Sequence, residues 1–140
     1  MKLKKVGNYW IIRIDKGEEI VKTIKKVCEE NKIMLGKISG IGAVDHTVIG
    51  LFNTSRKEFL SQKFTGDFEV THLSGNITTM NRQPYLHLHI MIADENLHCF
   101  GGHLSSAIIS GTGEVFIEEI DDKIDRKFDS ETGLNLLFDE

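Results

Sequence analysis

From Lys37 to Glu119 the chain is written almost entirely in strand-type segments. The stretches 37–42, 45–52, 57–64, 68–80, 85–93, 97–100 and 106–119 are short, apolar or alternating, and Gly, Asn, Asp or Pro separates them. They read as six or seven β-strands. Several of the connections are too short to hold a crossover helix, so the pairing is expected to be mostly antiparallel. There is one proline, Pro84, and no linker, repeat or low-complexity run, so a single domain spanning residues 1–140 is expected.

The N-terminal part has a different texture. Tyr9–Asp15 is β-branched and aromatic and reads as a strand, which Lys16-Gly17 breaks. The following GEEIVKTIKKVCEENK places Ile20, Val21, Ile24, Val27 and Cys28 on one helical stripe. Glu18 and Glu19 are expected in its first turn, where the helix dipole favours negative charge. The fold class is therefore α+β: one long N-terminal helix packed against a large, mostly antiparallel sheet. In the tail, Leu134, Leu136, Leu137 and Phe138 are expected to dock on the body or on a neighbouring subunit.

Charge narrows the partners. The net charge is −4. Residues 1–40 carry ten Lys/Arg against five Asp/Glu, and residues 114–140 carry three against ten. An acidic total argues against strong nonspecific DNA binding by a lone chain, since that affinity comes from neutralising phosphates. The apolar run at Tyr9–Ile12 is too short for a secretion signal and nothing approaches a membrane span, so a cytoplasmic protein is expected. Cys28 and Cys99 have no C-x-x-C spacing and are expected free and buried.

Familiar catalytic motifs are missing. Gly40-Ile-Gly42 begins like a dinucleotide fingerprint, but a strand follows where a helix is needed. A bulge or a close subunit approach is the better reading. Gly111-Thr-Gly113 reads as a strand irregularity. No phosphate-binding loop, nucleophile elbow or H-E-x-x-H is present.

One stretch carries chemistry. In YLHLHIMIADENLHCFGGHL, residues 85–104, stand four of the six histidines. Alternation sends Leu86, Leu88, Ile90 and Ile92 to one face and Tyr85, His87, His89 and Met91 to the other. His87 and His89 then project side by side, roughly 6.5–7 Å apart at the backbone. Ala-Asp-Glu-Asn makes a turn, and the chain returns as a partner strand. Gly101-Gly102 are expected to swing His103 over the same face. Three neutral imidazoles with a fourth position open to water would form a zinc-type site, and Cu, Fe or Ni also suit imidazole. His98 is set aside, Cys99 is read as buried, and His46 and His72 as ordinary strand residues.

The same stretch resembles the signature of the Plants and Prokaryotes Conserved (PPC) domain. Pro84-Tyr-Leu-His-Leu-His, then Asp94, then Gly101-Gly102-His103-Leu104 carry the resemblance. Further blocks follow in order: Arg13 with Lys16-Gly17-Glu18-Glu19; Ile38-Ser-Gly-Ile-Gly-Ala-Val44; Phe68-Glu69-Val70 with Leu73-Ser-Gly-Asn-Ile77; Gly113-Glu114-Val115; and Arg126 with Thr132-Gly133-Leu134. The resemblance implies an α+β domain that assembles as a homotrimer, and a role in DNA binding. In plants that role rests on an AT-hook, and this chain has no Arg-Gly-Arg-Pro. The motif's histidines correspond to His87, His89 and His103. Arg13, Glu69 and Asn76 match further polar positions and are expected near them.

Three functions follow. The first is a stand-alone homotrimeric regulatory or DNA-associated module with a three-histidine metal site. The second is a metal-dependent enzyme or small-molecule sensor using a Zn-like divalent ion at His87, His89 and His103. In that case Glu69 would be a general base and Arg13 would hold a small anionic ligand. In the third the histidines sit at a trimer interface and bind nothing.

Overall fold

The computed structural model describes residues 1–137; Phe138, expected to dock with the tail, lies outside them. The elements run β1 (Lys2–Val6), β2 (Tyr9–Ile14), α1 (Ile20–Asn31), β3 (Gly36–Asn53), β4 (Glu58–Met80), β5 (Gln83–Ala93), β6 (Cys99–Glu119), β7 (Arg126–Asp129) and β8 (Leu134–Leu137). The main sheet has the order β1-β2-β6-β3-β4-β5, and every pairing within it is antiparallel. In addition β5 pairs with β6. Strands β3, β4, β5 and β6 therefore form a closed circuit, which leaves fewer unpaired edges than an open sheet.

Breaks expected between strands are bulges within them. Segments 37–42 and 45–52 are one strand, β3, with register shifts at Gly40/Gly42 and Val44/His46. Gly42 sits where an added Cβ would stand 2.5 Å from the Thr112 carbonyl oxygen, so only glycine fits the close approach. The segments expected at 57–64 and 68–80 likewise join into β4, which starts at Glu58, and those at 97–100 and 106–119 into β6, which starts at Cys99. A bulge keeps the ladder running while bending it, and punctuation residues in the sequence do not distinguish that from a turn. Strand β1, all exposed, lacks the apolar alternation that marks a strand; its pairing with β2 supplies the backbone partners.

The helix is shorter than expected, at 12 residues. Glu19 is its N-cap and does not belong to the first turn: its carboxylate accepts the backbone N–H groups of Val21 (3.0 Å) and Lys22 (2.7 Å). Glu18 lies outside the helix and accepts from the Asp15 amide at 2.8 Å. Lys32, in left-handed conformation at φ 57°, ends the helix. Ile20, Ile24, Val27 and Cys28 are buried against the sheet, with β5 and β6 the strands that α1 contacts. Burial pushes the Cys28 thiol up to about 12, with the Glu29 charge adding to the shift. Cys99 departs from the expectation. It begins β6 beside the turn and is exposed.

Glu19 does a second job. Its Oε1 also accepts the N–H of Ala107 in β6 at 2.9 Å, which ties the helix start to the sheet. Replacing Glu19 by Ala removes a cap and leaves a buried amide unpaired, at a cost of about 2–3 kcal/mol. Urea unfolding should show that loss, with Glu19→Gln recovering part of it.

Candidate metal centre

The strand pairing decides where the histidines meet. On β5, His87 lies opposite Asn76 of β4, and His89 opposite Ser74. On its other side β5 pairs with the start of β6, which sets His103 directly opposite His89. Directly opposed residues in an antiparallel pair share a face. Register alone thus brings His103 to the cluster, and no glycine swing is needed. Gly102 instead allows close contact with β3: an added Cβ would lie 2.7 Å from the Gly50 carbonyl oxygen.

One donor atom from each of His87, His89 and His103 lies within 4.8 Å of the other two. His87 Nε2 and His89 Nε2 are 3.2 Å apart. Two imidazole nitrogens on one tetrahedral Zn²⁺, each about 2.0–2.1 Å from the ion, stand roughly 3.3–3.4 Å apart. The donor set therefore fits a small divalent ion. Burial, reinforced by His103, His89 and Arg126, pushes the His87 imidazole down to about 4 from 6.5. Burial, then His89, also lowers His103. Neutral rings with free lone pairs are what a metal requires at neutral pH.

The cluster opens into a cleft of about 630 Å³. Gly50, Leu51, Phe52 and Phe59 from the β3–β4 hairpin form one wall, and Leu134, Leu136 and Leu137 of β8 form another. Phe59 meets His103 edge-on, with ring centroids 5.6 Å apart. The floor carries Asn76, Tyr85, Asn135 and Arg126. The Arg126 guanidinium lies over the Tyr85 ring at 4.8 Å, and its Nη2 donates to Asn76 Oδ1 at 2.9 Å.

The other expected residues are elsewhere. Asn76 does reach the cleft. Glu69 is exposed and opposite Ala93, five positions along β4 from Ser74, or roughly 16 Å of strand. Arg13 is exposed on β2, bonded to Asp15 at 2.8 Å and opposite Glu114 near the far end of β6. Within one chain neither reaches the histidines, so the base and anion-holding roles expected of them have no structural support. Even strand alternation says which face a residue takes and nothing about how far along the sheet it lies. His98 is exposed and faces Asp94, His46 bonds Asp45, and His72 is exposed. The resemblance includes Arg126, and the tail leucines are expected to dock; what sequence reasoning missed is that both line the histidine cleft.

The fold defines a class: α+β proteins dominated by an antiparallel sheet with a single short helix. Within that class the chain belongs to the Plants and Prokaryotes Conserved (PCC) domain family, whose model matches residues 1–121. A proposed DNA-binding protein from Bacteroides thetaiotaomicron is 38% identical, with TM-score 0.96 over 98% of this chain and 96% of that one. A metal-containing protein from Archaeoglobus fulgidus is 33% identical, with TM-score 0.89 over 99% of this chain and 100% of the other. A PPC protein from Pyrococcus horikoshii is 30% identical, with TM-score 0.87 over 99% and 94%. No curated protein matches the chain.

The lowered His87 value has a consequence for stability. In the unfolded chain that imidazole takes up its proton near 6.5, and in the folded protein only near 4. Between those values the unfolded state binds more protons, so the contribution present above pH 6.5 is lost as pH falls toward 4. Urea titrations of metal-free protein should show stability declining across that window, and His87→Gln should flatten the decline.

Proposed function

We propose that this chain is a divalent-metal protein of the PCC family that assembles as a homotrimer and presents an open centre of His87, His89 and His103 to a small molecule. The observation that carries the reading is the 3.2 Å separation of the His87 and His89 Nε2 atoms at the mouth of an apolar cleft. The metal-containing relative from Archaeoglobus fulgidus supports it. A bound Zn²⁺-type ion supplies a Lewis acid and a water acidic enough to attack. The chain's own part is to hold three imidazoles on rigid paired strands and to exclude water with Phe52, Phe59 and the β8 leucines.

Assembly is supported by apolar side chains left outside the core. Ile41, Leu51 and Phe116 are 57%, 58% and 44% exposed on the sheet. Apolar side chains in such numbers on a sheet suit burial by another copy.

A second reading, a regulatory module on DNA, draws on the proposed DNA-binding relative and on the exposed lysines of β1 and α1. Several of those lysines already face carboxylates: Lys5 with Glu119 at 2.8 Å, Lys25 with Glu29 and Lys26 with Glu30 at 3.8 Å. That weakens a phosphate-binding face. A gel shift at low salt separates the readings, because phosphate contacts give binding that falls steeply with salt.

Protein purified without a histidine tag should contain about one transition-metal ion per chain by elemental analysis. His87→Ala and His103→Ala should each weaken Zn²⁺ binding by more than the roughly 10–100-fold that changes behind a ligand cost. Sedimentation should give three chains per particle. A metal-free protein whose zinc affinity is unaffected by His87→Ala would sink the metal reading.

A further inference from the structure

Arg126 is a half-buried cation that meets only neutral partners. Its Nε donates to Thr78 Oγ1 at 2.8 Å, its Nη1 to the Asn135 carbonyl at 2.8 Å, and its Nη2 to Asn76 Oδ1 at 2.9 Å. Among the described residues no carboxylate stands within ion-pair distance of it. These bonds fix the guanidinium plane, and Tyr85 stacks beneath it. A guanidinium has five N–H groups, so two are left over, one on each terminal nitrogen. Two N–H groups on the two terminal nitrogens are enough to serve the two oxygens of one carboxylate.

The rest of the cleft selects against a purely ionic guest. Phe52, Phe59, Leu134 and Leu137 line it, and its volume of about 630 Å³ suits a small molecule. Among the described lining residues Arg126 is the one Lys, Arg, Asp or Glu, and so the one permanently charged side chain. A phosphate carries more charge than one guanidinium offsets and has no apolar part for the phenylalanine and leucine side chains to cover. Asn76 bonds Arg126 and stands opposite His87, so whatever the two free N–H groups hold lies beside the histidine cluster.

We propose that the cleft binds a small organic acid with an apolar chain, its carboxylate held by the free N–H groups of Arg126 and its chain against Phe52, Phe59 and the β8 leucines. Arg126 is then the specificity-determining residue of the centre. The inference rests on the metal reading for what the histidines do to the acid, and on Arg126 alone for the binding.

The test uses the full chain stripped of metal, titrated calorimetrically with hexanoate, 1-hexanol, acetate and inorganic phosphate. Hexanoate should bind at least about tenfold tighter than each of the others, the scale of one charge-assisted pair. Arg126→Gln should lower hexanoate affinity at least about tenfold and leave hexanol unchanged, with Arg126→Lys between them. Arg126 also holds the tail through Asn135, so the hexanoate-to-hexanol ratio of the unaltered protein decides the matter if the variant does not fold. A ratio near one, equal affinity for phosphate, or hexanoate binding that needs zinc and ignores Arg126→Gln overturns the proposal. Zinc titration without acid reports separately on the histidines: failure there with the ratio intact removes the metal reading and keeps the acid site.

Discussion

The structure depends on one long strand. β6 runs from Cys99 to Glu119 and hydrogen-bonds to β5 at its start, to β3 through most of its length and to β2 at its end. Its alternate residues Leu104, Ala107, Ile109, Val115 and Ile117 enter the core, with bulges absorbing the changes of register. The helix packs on it and is pinned to it through Glu19. Because β5 also pairs with β6, the sheet closes. Closure fixes the distance between His103 and the histidines of β5 with no freedom left for a loop to lose. Sites on rigid paired strands hold their geometry better than sites on loops.

The electrostatics of the cleft follow from where that closure puts polar groups. Three imidazoles and one guanidinium share a space walled by leucine and phenylalanine. Burial, the neighbouring rings and the arginine disfavour charging the half-buried His87, and burial and His89 act in the same sense on His103. Neutral imidazoles are good ligands for a cation, and an arginine with only neutral partners is a good receptor for an anion. Taken together, the two proposals give the cleft two guests of opposite charge at adjacent positions.

Much of this was readable in the chain. The β5 alternation, the β5–β6 hairpin, the apolar stripe of α1 and the family resemblance all came from local pattern, and Leu88, Ile90 and Ile92 are buried as alternation requires. What was misread shares one cause. Strand continuity through Gly40–Gly42 and across residues 65–67, the exposure of Cys99, and the distance of Glu69 and Arg13 from the histidines depend on register and on neighbours far away in sequence. A glycine looks the same at a bulge and at a turn.

Period-two hydrophobicity, set by the geometry of an extended backbone, was enough to settle that this polypeptide makes an antiparallel sheet and that His87 and His89 point the same way. Folding in three dimensions decided the rest. Strand pairing chose His103 as their neighbour. The β7–β8 hairpin brought Arg126 under them from about forty residues further along the chain, a juxtaposition that backbone hydrogen bonds across the closed sheet and to the tail create and that no local pattern encodes.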